Sequence, residues 1–435
     1  MRGMTPLLLG ITTWLSVQHG INGPMPGHTD ILEATIWLQC HGPCAVQLEY
    51  WDVQKPDSIL RTVIQDSDAS LAHAMDFTMA PVVPGTTYGY RVVKDGSVLD
   101  LGQELTFNTQ PLWRHRTDPP DFTVAMGSCT YINEPGYDRP GRAFGSDYGV
   151  FDAIADKGPD LMLWLGDNTY LRESDWGSRT GYLHRYTHTR STPQMQRLLR
   201  STHHYAIWDD HDFGPNDADG GWLHSTMSRA CFDLFWPNPT CGVPGVDGTT
   251  TAFNHSDIEF FLLDNRTFRV PGNLKTEQPA MLGKAQIDWL IRELKYSTAP
   301  FKLVAVGSQV LNTAAVYENY ATIADERAEL LRRIEVEGIT GVVFLTGDRH
   351  FTELSSLSLK DGRVLYDLTV SPLTSGTFPP KEENLNRVAG TVVEQHNFAM
   401  LGFSGPRKSR VMHIAVYDAK GQLLWDRSIP EETKR

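Results

Sequence analysis

The sequence predicts an α/β protein in two parts, an all-β unit followed by a layered unit of alternating strands and helices. Three observations predict it. Short alternating segments separated by turn residues fill residues 23–110. From residue 121 onward, apolar strand-like runs alternate with stretches of helical periodicity. Several of those runs end in Gly followed by Asp, His, Cys or Tyr, as expected where the strand ends of an open sheet form a binding crevice.

Composition narrows the function classes. The 435 residues are 40% hydrophobic and 21% charged, a profile of globular rather than disordered chains. A net charge of −13 argues against a nucleic-acid partner held on a basic surface. No apolar run reaches the ~20 residues of a membrane span.

Residues 1–22 read as a possible export signal. Arg2 precedes Leu7-Leu8-Leu9-Gly10-Ile11, although Pro6 interrupts the run and neither an A-x-A-like cleavage site nor a twin-Arg pair is present. The alternative is an apolar segment packed on the following domain. Cys40 and Cys44 flank His41-Gly42-Pro43, and Cys231 and Cys241 bracket a Pro/Asn-rich stretch. Both pairs are candidate local disulfides, with free thiols as the alternative. Disulfides would favour an oxidising, periplasmic or extracellular location. Cys129 is left over.

In the all-β unit, strands are expected at 34–39, 45–51, 60–65, 74–79, 87–94 and 104–109, with turns at Gly42-Pro43, Pro84-Gly85 and Asp95-Gly96. Pro84-Gly85-Thr86-Thr87-Tyr88 leading into Gly89-Tyr90-Arg91-Val92 looks like a fibronectin type III, immunoglobulin-like domain. It holds no cluster of titratable groups, so its role reads as structural. A Pro-rich linker, 111–120, follows. In the α/β unit, 121–435, helices are expected around Val150–Ile154, at 182–200 with Pro193 opening its second part, at 283–295 and at 324–337. The helix at 283–295 is the clearest, with Ile287, Leu290, Ile291 and Leu294 on one face. Strands are expected at 258–263, 301–307 and 341–346 between the helices, and at 364–370, 397–403, 411–417 and 423–428 beyond them.

Four strand ends carry the chemistry. They are Gly127-Ser128-Cys129, Gly166-Asp167-Asn168-Thr169-Tyr170, Trp208-Asp209-Asp210-His211-Asp212 and Gly347-Asp348-Arg349-His350. Each residue alone has a plainer reading: Asp167 as a turn residue, His350 as a structural histidine, Cys129 and Tyr170 as core. Together they read as metal ligands. Asp348 and His350, two residues apart, form a natural ligand pair. The carboxylates of Asp209, Asp210 and Asp212 repel one another unless a cation or several donors neutralise them. Thiolate and phenolate from Cys129 and Tyr170 suit a transition ion such as iron, and carboxylate and amide oxygens, including that of Asn216, suit calcium or magnesium. Such a site would clamp a phosphate and activate an oxygen nucleophile. Gly127-Ser128-Cys129 is not a serine-nucleophile elbow, and no phosphate-binding glycine loop or dinucleotide fingerprint is present.

These four motifs, with Leu263-Asp264-Asn265-Arg266, the helix from Gly283 and Phe403-Ser404-Gly405-Pro406-Arg407, resemble the alkaline phosphatase D (PhoD-like) family of metallophosphatases. The resemblance covers about residues 20 to 435. It implies a core similar to purple acid phosphatases, a two-sheet sandwich flanked by helices, and hydrolysis of phosphomonoesters or phosphodiesters with iron and calcium in an exported enzyme. Zinc, manganese or magnesium are alternative metals. By motif, Cys129 and Tyr170 would bind iron, Asp167 would bridge metals, and Asp348 and His350 would be ligands. Asp210 would be a ligand, shared with Asp209 or Asn216, and His211 would stand near the leaving oxygen. Arg266 or Arg349, close to the motifs, is expected to supply a positive side chain to the phosphate. Asn168 stands where the family often has an aromatic, and its position is expected to face the site. Two alternatives remain: a phosphodiesterase or phospholipase on lipid or polymer substrates, and a non-enzymatic binding protein stabilised by metals.

Overall fold

The computed structural model describes residues 20–432. Residues 1–19 of the possible export segment lie outside the described residues, and residues 21 and 22 already belong to the first strand, Ile21–Thr29. Two small sheets make the N-terminal unit. One joins Ile21–Thr29, Ala34–Cys40 and Ala74–Met79 in that order. The other is built on the antiparallel pair Ala45–Asp52 and Thr87–Lys94, flanked by Leu60–Arg61, Gln65–Asp66, Ser97–Val98 and Leu105–Asn108. The continuous strand expected at 60–65 is thus two short pieces.

Alternation decides the packing. Ile36 and Leu38 meet Val46, Leu48, Phe77 and Val92 in a buried core between the sheets. Trp37, on the other face of its strand, packs on Phe235 and donates its indole N–H to the Leu234 carbonyl at 2.8 Å. The first sheet is therefore covered on both faces. Ile21–Thr29 lies outside the expected strands and carries Gly23, Pro24, Pro26 and Gly27. It is an edge strand with two register shifts, a place where proline is tolerated.

The rest of the chain forms two six-stranded sheets. The first runs His203–Ile207, Leu161–Leu165, Phe122–Gly127, Asn397–Ser404, Val411–Asp418, Leu423–Pro430, with its first three strands parallel. The second runs Thr251–His255, Ile258–Leu262, Lys302–Ala305, Val342–Thr346, Val364–Thr369, Glu353–Ser358, with the middle four parallel. Alternate residues from both sheets, among them Val124, Leu163, Tyr205, Phe260, Leu303 and Val343, share one core. The opposite faces carry helices. Gly149–Lys157, Pro193–Ser201 and Ser225–Phe235 cover the first sheet, and Gly283–Tyr296 and Ala324–Val336 cover the second. Pro193 opens its helix, after the separate helix Arg179–Arg190.

The cysteine expectations divide. Cys40 and Cys44 are disulfide-bonded. Cys231 and Cys241 are not: the first points into the aromatic core under its helix, and the thiol of the second faces the Gly248 carbonyl at 3.7 Å. No helix among the described residues is long and apolar enough to cross a membrane.

Candidate metal centre

The parallel strands of both sheets end at one edge. Cys129 follows Phe122–Gly127, Asp167 and Tyr170 follow Leu161–Leu165, and Asp209 to His211 follow His203–Ile207. From the other sheet, Asp348 and His350 follow Val342–Thr346. The two rims meet closely at Gly347, where an added Cβ would stand 2.5 Å from the Leu165 carbonyl oxygen and 2.7 Å from Ser128 Cβ. Only glycine permits that approach. Cys129, Asp167, Asp348 and His350 all adopt positive φ, between 52° and 64°, a conformation that costs an L-residue energy and concentrates at functional sites.

The side chains form two groups that share Asp167. In the first, ligand atoms of Cys129, Asp167 and His350 lie within 4.8 Å of one another. Tyr170 joins them, its hydroxyl 3.1 Å from Asp167 Oδ2 and 3.3 Å from His350 Nε2. Cys129 Sγ is 3.5 Å from the same Oδ2. In the second group Asp167 meets Asp210 and His211. His211 N–H donates to the other oxygen, Oδ1, at 3.3 Å, and the His211 ring lies 4.2 Å, centroid to centroid, from that of Tyr170.

The surroundings orient these donors. His350 Nδ1 faces the Gly376 carbonyl and Ser375 Oγ, so its proton sits there and the Nε2 lone pair is turned toward the group. The His350 backbone N–H occupies Ser371 Oγ at 3.0 Å, which leaves the Ser371 hydroxyl hydrogen for Cys129 Sγ at 3.1 Å. Asp210 Oδ2 accepts from Asp217 N–H at 2.7 Å, while its buried Oδ1 has no hydrogen-bonding partner.

The electrostatics suit a cation site. Burial pushes the Cys129 thiol up to about 12, and lifts Asp167 and Tyr170 well above their ordinary ranges, with Asp210 and Cys129 adding to the first and Asp167 and Cys129 to the second. Burial, then Asp209 and Glu318, push Asp348 up to about 8. Burial also lowers His350 and His211. Among the carboxyls of the two groups and their neighbours Asp209, Asp212 and Asp348, only Asp210 moves down: its burial is outweighed by His211 and Arg266. A thiol, a phenol and carboxyls that resist ionisation together, beside an unpartnered carboxylate oxygen, form a donor set that a metal ion satisfies.

Several expected residues take other positions. Arg266, expected to reach the phosphate, is fully buried. Its Nε holds Asp209 Oδ1 at 2.6 Å, Nη2 holds Asp209 again, and Glu318 Oε2 lies at 2.5 Å. Arg349 is likewise committed, to Gln309, Asn319 and Glu382. Asp209 gives Oδ1 to Arg266 and Asn265, and its Oδ2 has no partner. Asp348 lines the adjoining cleft and joins neither group of three, and Asn216 stands exposed at the mouth of that cleft. Asp212 turns away and accepts the backbone N–H groups of Asn168, Thr169 and Asp209. Asn168 does not face the site: it is buried and donates to the Ile207 carbonyl at 2.7 Å.

Two residues were not anticipated. Glu318 reaches Asp209 and Asp210 from an irregular loop with no strand before it, and nothing in the local sequence marks it. Arg269 pairs with Glu318 at 2.7 Å and lines the cleft, with Nη1 buried and unpartnered. It lies three residues past Arg266, in the same motif segment.

Residues 251–411 match the family model described as PhoD-like phosphatase. A solved structure of PhoD aligns over 95% of this chain and 92% of its own, at 17% identity and a TM-score of 0.73. Over that segment the chain is similar to PhoD-like phosphatases, and its fold is shared with PhoD. Purple acid phosphatase PPD1 from yellow lupin (Lupinus luteus) seeds aligns over 94% of this chain and 74% of its own, at 10% identity and a TM-score of 0.66. No curated protein matches the sequence. The PhoD-like segment, 251–411, contains Arg266, Glu318, Asp348 and His350. The ligand group from the first sheet precedes it.

Proposed function

We propose that the chain is a metal-dependent phosphoesterase that cleaves phosphomonoesters, phosphodiesters or both. The supporting observation is Asp167, which belongs to both adjoining donor groups, with Oδ2 facing Tyr170 and Oδ1 accepting the His211 backbone N–H. The PhoD-like family model and the fold shared with PhoD and a purple acid phosphatase point the same way. In this reading Cys129, Tyr170, His350 and Asp167 hold iron. Asp167 and Asp210, with Asp348 and one oxygen of Asp209 nearby, hold a harder ion such as calcium. Bound cations polarise phosphoryl oxygens and acidify water.

The chain's own residues do the rest. Arg266 and Glu318 fix Asp209, and Ser371 and Ser375 orient Cys129 and His350. His211 is partly exposed, with Asp210 Oδ2, 3.9 Å from its Nε2, offsetting part of the burial that disfavours its charged form. It is placed to hand a proton to the leaving oxygen. Arg269 is the cation we assign to the phosphate, in place of Arg266. The Cys40–Cys44 disulfide supports a location outside the reducing cytoplasm.

The test is elemental analysis of protein purified without added metal, beside Cys129→Ala, with rates on p-nitrophenyl phosphate and its bis ester. Iron with a second metal, iron lost in the variant, and turnover of either ester are expected. No tightly bound metal and no turnover of either ester would overturn the reading.

A further inference from the structure

The cleft that opens onto Asp348 and His350 encloses about 820 Å³, more than a bare phosphate needs. Two large aromatic side chains stand in its wall mostly exposed, Tyr317 at 73% and Phe378 at 56%. Both are fixed in place by the metal-site motif itself. Phe378 donates its backbone N–H to the His350 carbonyl at 3.1 Å, its ring lies 5.0 Å from the His350 ring, and Phe144 backs it at 6.3 Å. Tyr317 sits at φ 50°, a left-handed position unusual for a bulky residue, and its ring lies on the Arg349 guanidinium at 4.7 Å. The three side-chain bonds that hold Arg349 therefore also hold the platform under Tyr317.

The charge of the cleft narrows the ligand. Glu318 and Glu382 are neutralised by arginines, whereas among the described residues Asp217 and Asp219 have no ion-pair partner and outnumber Lys381, the unpaired cation of the lining. A second anionic group on the substrate would meet them. An uncharged ring would meet Tyr317 and Phe378, which have lost little water by standing exposed and gain by covering a flat apolar surface.

We propose that Tyr317 and Phe378 form a subsite for an uncharged aromatic group esterified to the scissile phosphate, so that the preferred substrate is a phosphodiester carrying an aryl or nucleoside substituent. The proposal rests on the phosphoesterase reading above. Water displaces the other alcohol, and the aromatic monoester is the product retained at the subsite.

Three diesters with a common leaving group test it: p-nitrophenyl phosphate bearing a methyl, a phenyl or a thymidine 5′ substituent. Stacking predicts kcat/KM about tenfold higher for phenyl than for methyl. The thymidine ester separates an aryl preference from a nucleoside preference. In Tyr317→Ala and Phe378→Ala the phenyl-to-methyl ratio should fall toward one, and Tyr317→Phe and Phe378→Tyr should retain it. A misfolded variant lowers both rates and leaves the ratio alone. Calorimetric titration with phenylphosphonate and methylphosphonate, in metal-loaded and chelated protein, reads the subsite without turnover. A ratio near one in the wild-type protein, or one unmoved in alanine variants that melt at the wild-type temperature, overturns the subsite. If p-nitrophenyl phosphate turns over and none of the diesters does, the diester preference is overturned; if no ester turns over, the phosphoesterase reading fails instead, and equal phosphonate affinities then overturn the subsite as well.

Discussion

At the scale of single residues, the centre is a set of donors held by neighbours that touch nothing else in the reaction. Ser371 is the clearest case. Its oxygen takes the His350 N–H and its hydrogen faces Cys129 sulfur, so one hydroxyl sets two ligand candidates on opposite sheets. Ser371→Ala should weaken metal affinity about 10–100-fold while leaving the fold intact, as loss of such orienting bonds commonly does; competition with a chelator of known affinity measures it. Arg266 works differently. It is the fixed positive charge between Asp209 and Glu318, all three buried. Arg266→Ala strands the buried Asp209, while Glu318 keeps Arg269, and should cost about 3–5 kcal/mol of stability, read from denaturant unfolding. The sequence placed this arginine near the site, but not that it would be used internally. Residue type and spacing do not reveal whether a guanidinium will find carboxylates before it finds substrate.

At the scale of elements, the site depends on how closely strand ends approach. The turn after Lys302–Ala305 passes directly beside Asp209. A Cβ on Gly307 would run into that carboxylate and into Asn265. Gly307→Ala should therefore cost about 1–3 kcal/mol through overpacking and lower activity by displacing Asp209 from Arg266; thermal melts and steady-state rates on one sample check both. The strands that bear these turns were legible because they are buried on both faces and read as unbroken apolar runs, as Leu161–Leu165 and Val342–Thr346 do. The edge strands Thr251–His255 and Glu353–Ser358 were not, because their polar residues break the pattern. The helix Ser225–Phe235 is hard to read because its buried apolar residues, Cys231, Phe232 and Phe235, all fall in its last five positions.

At the scale of the whole molecule, the four motif ends carry their own names in the sequence, whereas Glu318, Arg269 and the aromatic wall of the cleft depend on loops that only the fold brings together. The electrostatics make the molecule's stability answer to metal. Asp348 is pushed up to about 8 in the folded, metal-free chain, above the ordinary unfolded value near 4. A carboxyl with a raised folded pKa stabilises the fold fully below the unfolded value and loses that contribution as pH rises through the folded one. Chelated protein should thus lose stability between about pH 4 and 8 as the buried carboxyls ionise, and added metal should flatten the profile. Melting curves at stepped pH, with and without chelator, test the sign; a chelated protein that gains stability over that range would refute it.

The buried guanidinium of Arg266 has a further consequence. It is a counter-ion that cannot be extracted, since it is part of the chain. In the proposed enzyme a chelator would empty the Cys129 and Asp210 sides while Asp209 and Glu318 stay neutralised by Arg266 and Arg269. The rim would then behave like a socket with one wall permanently set, ready to refill from solution without the surrounding strands having to be rebuilt.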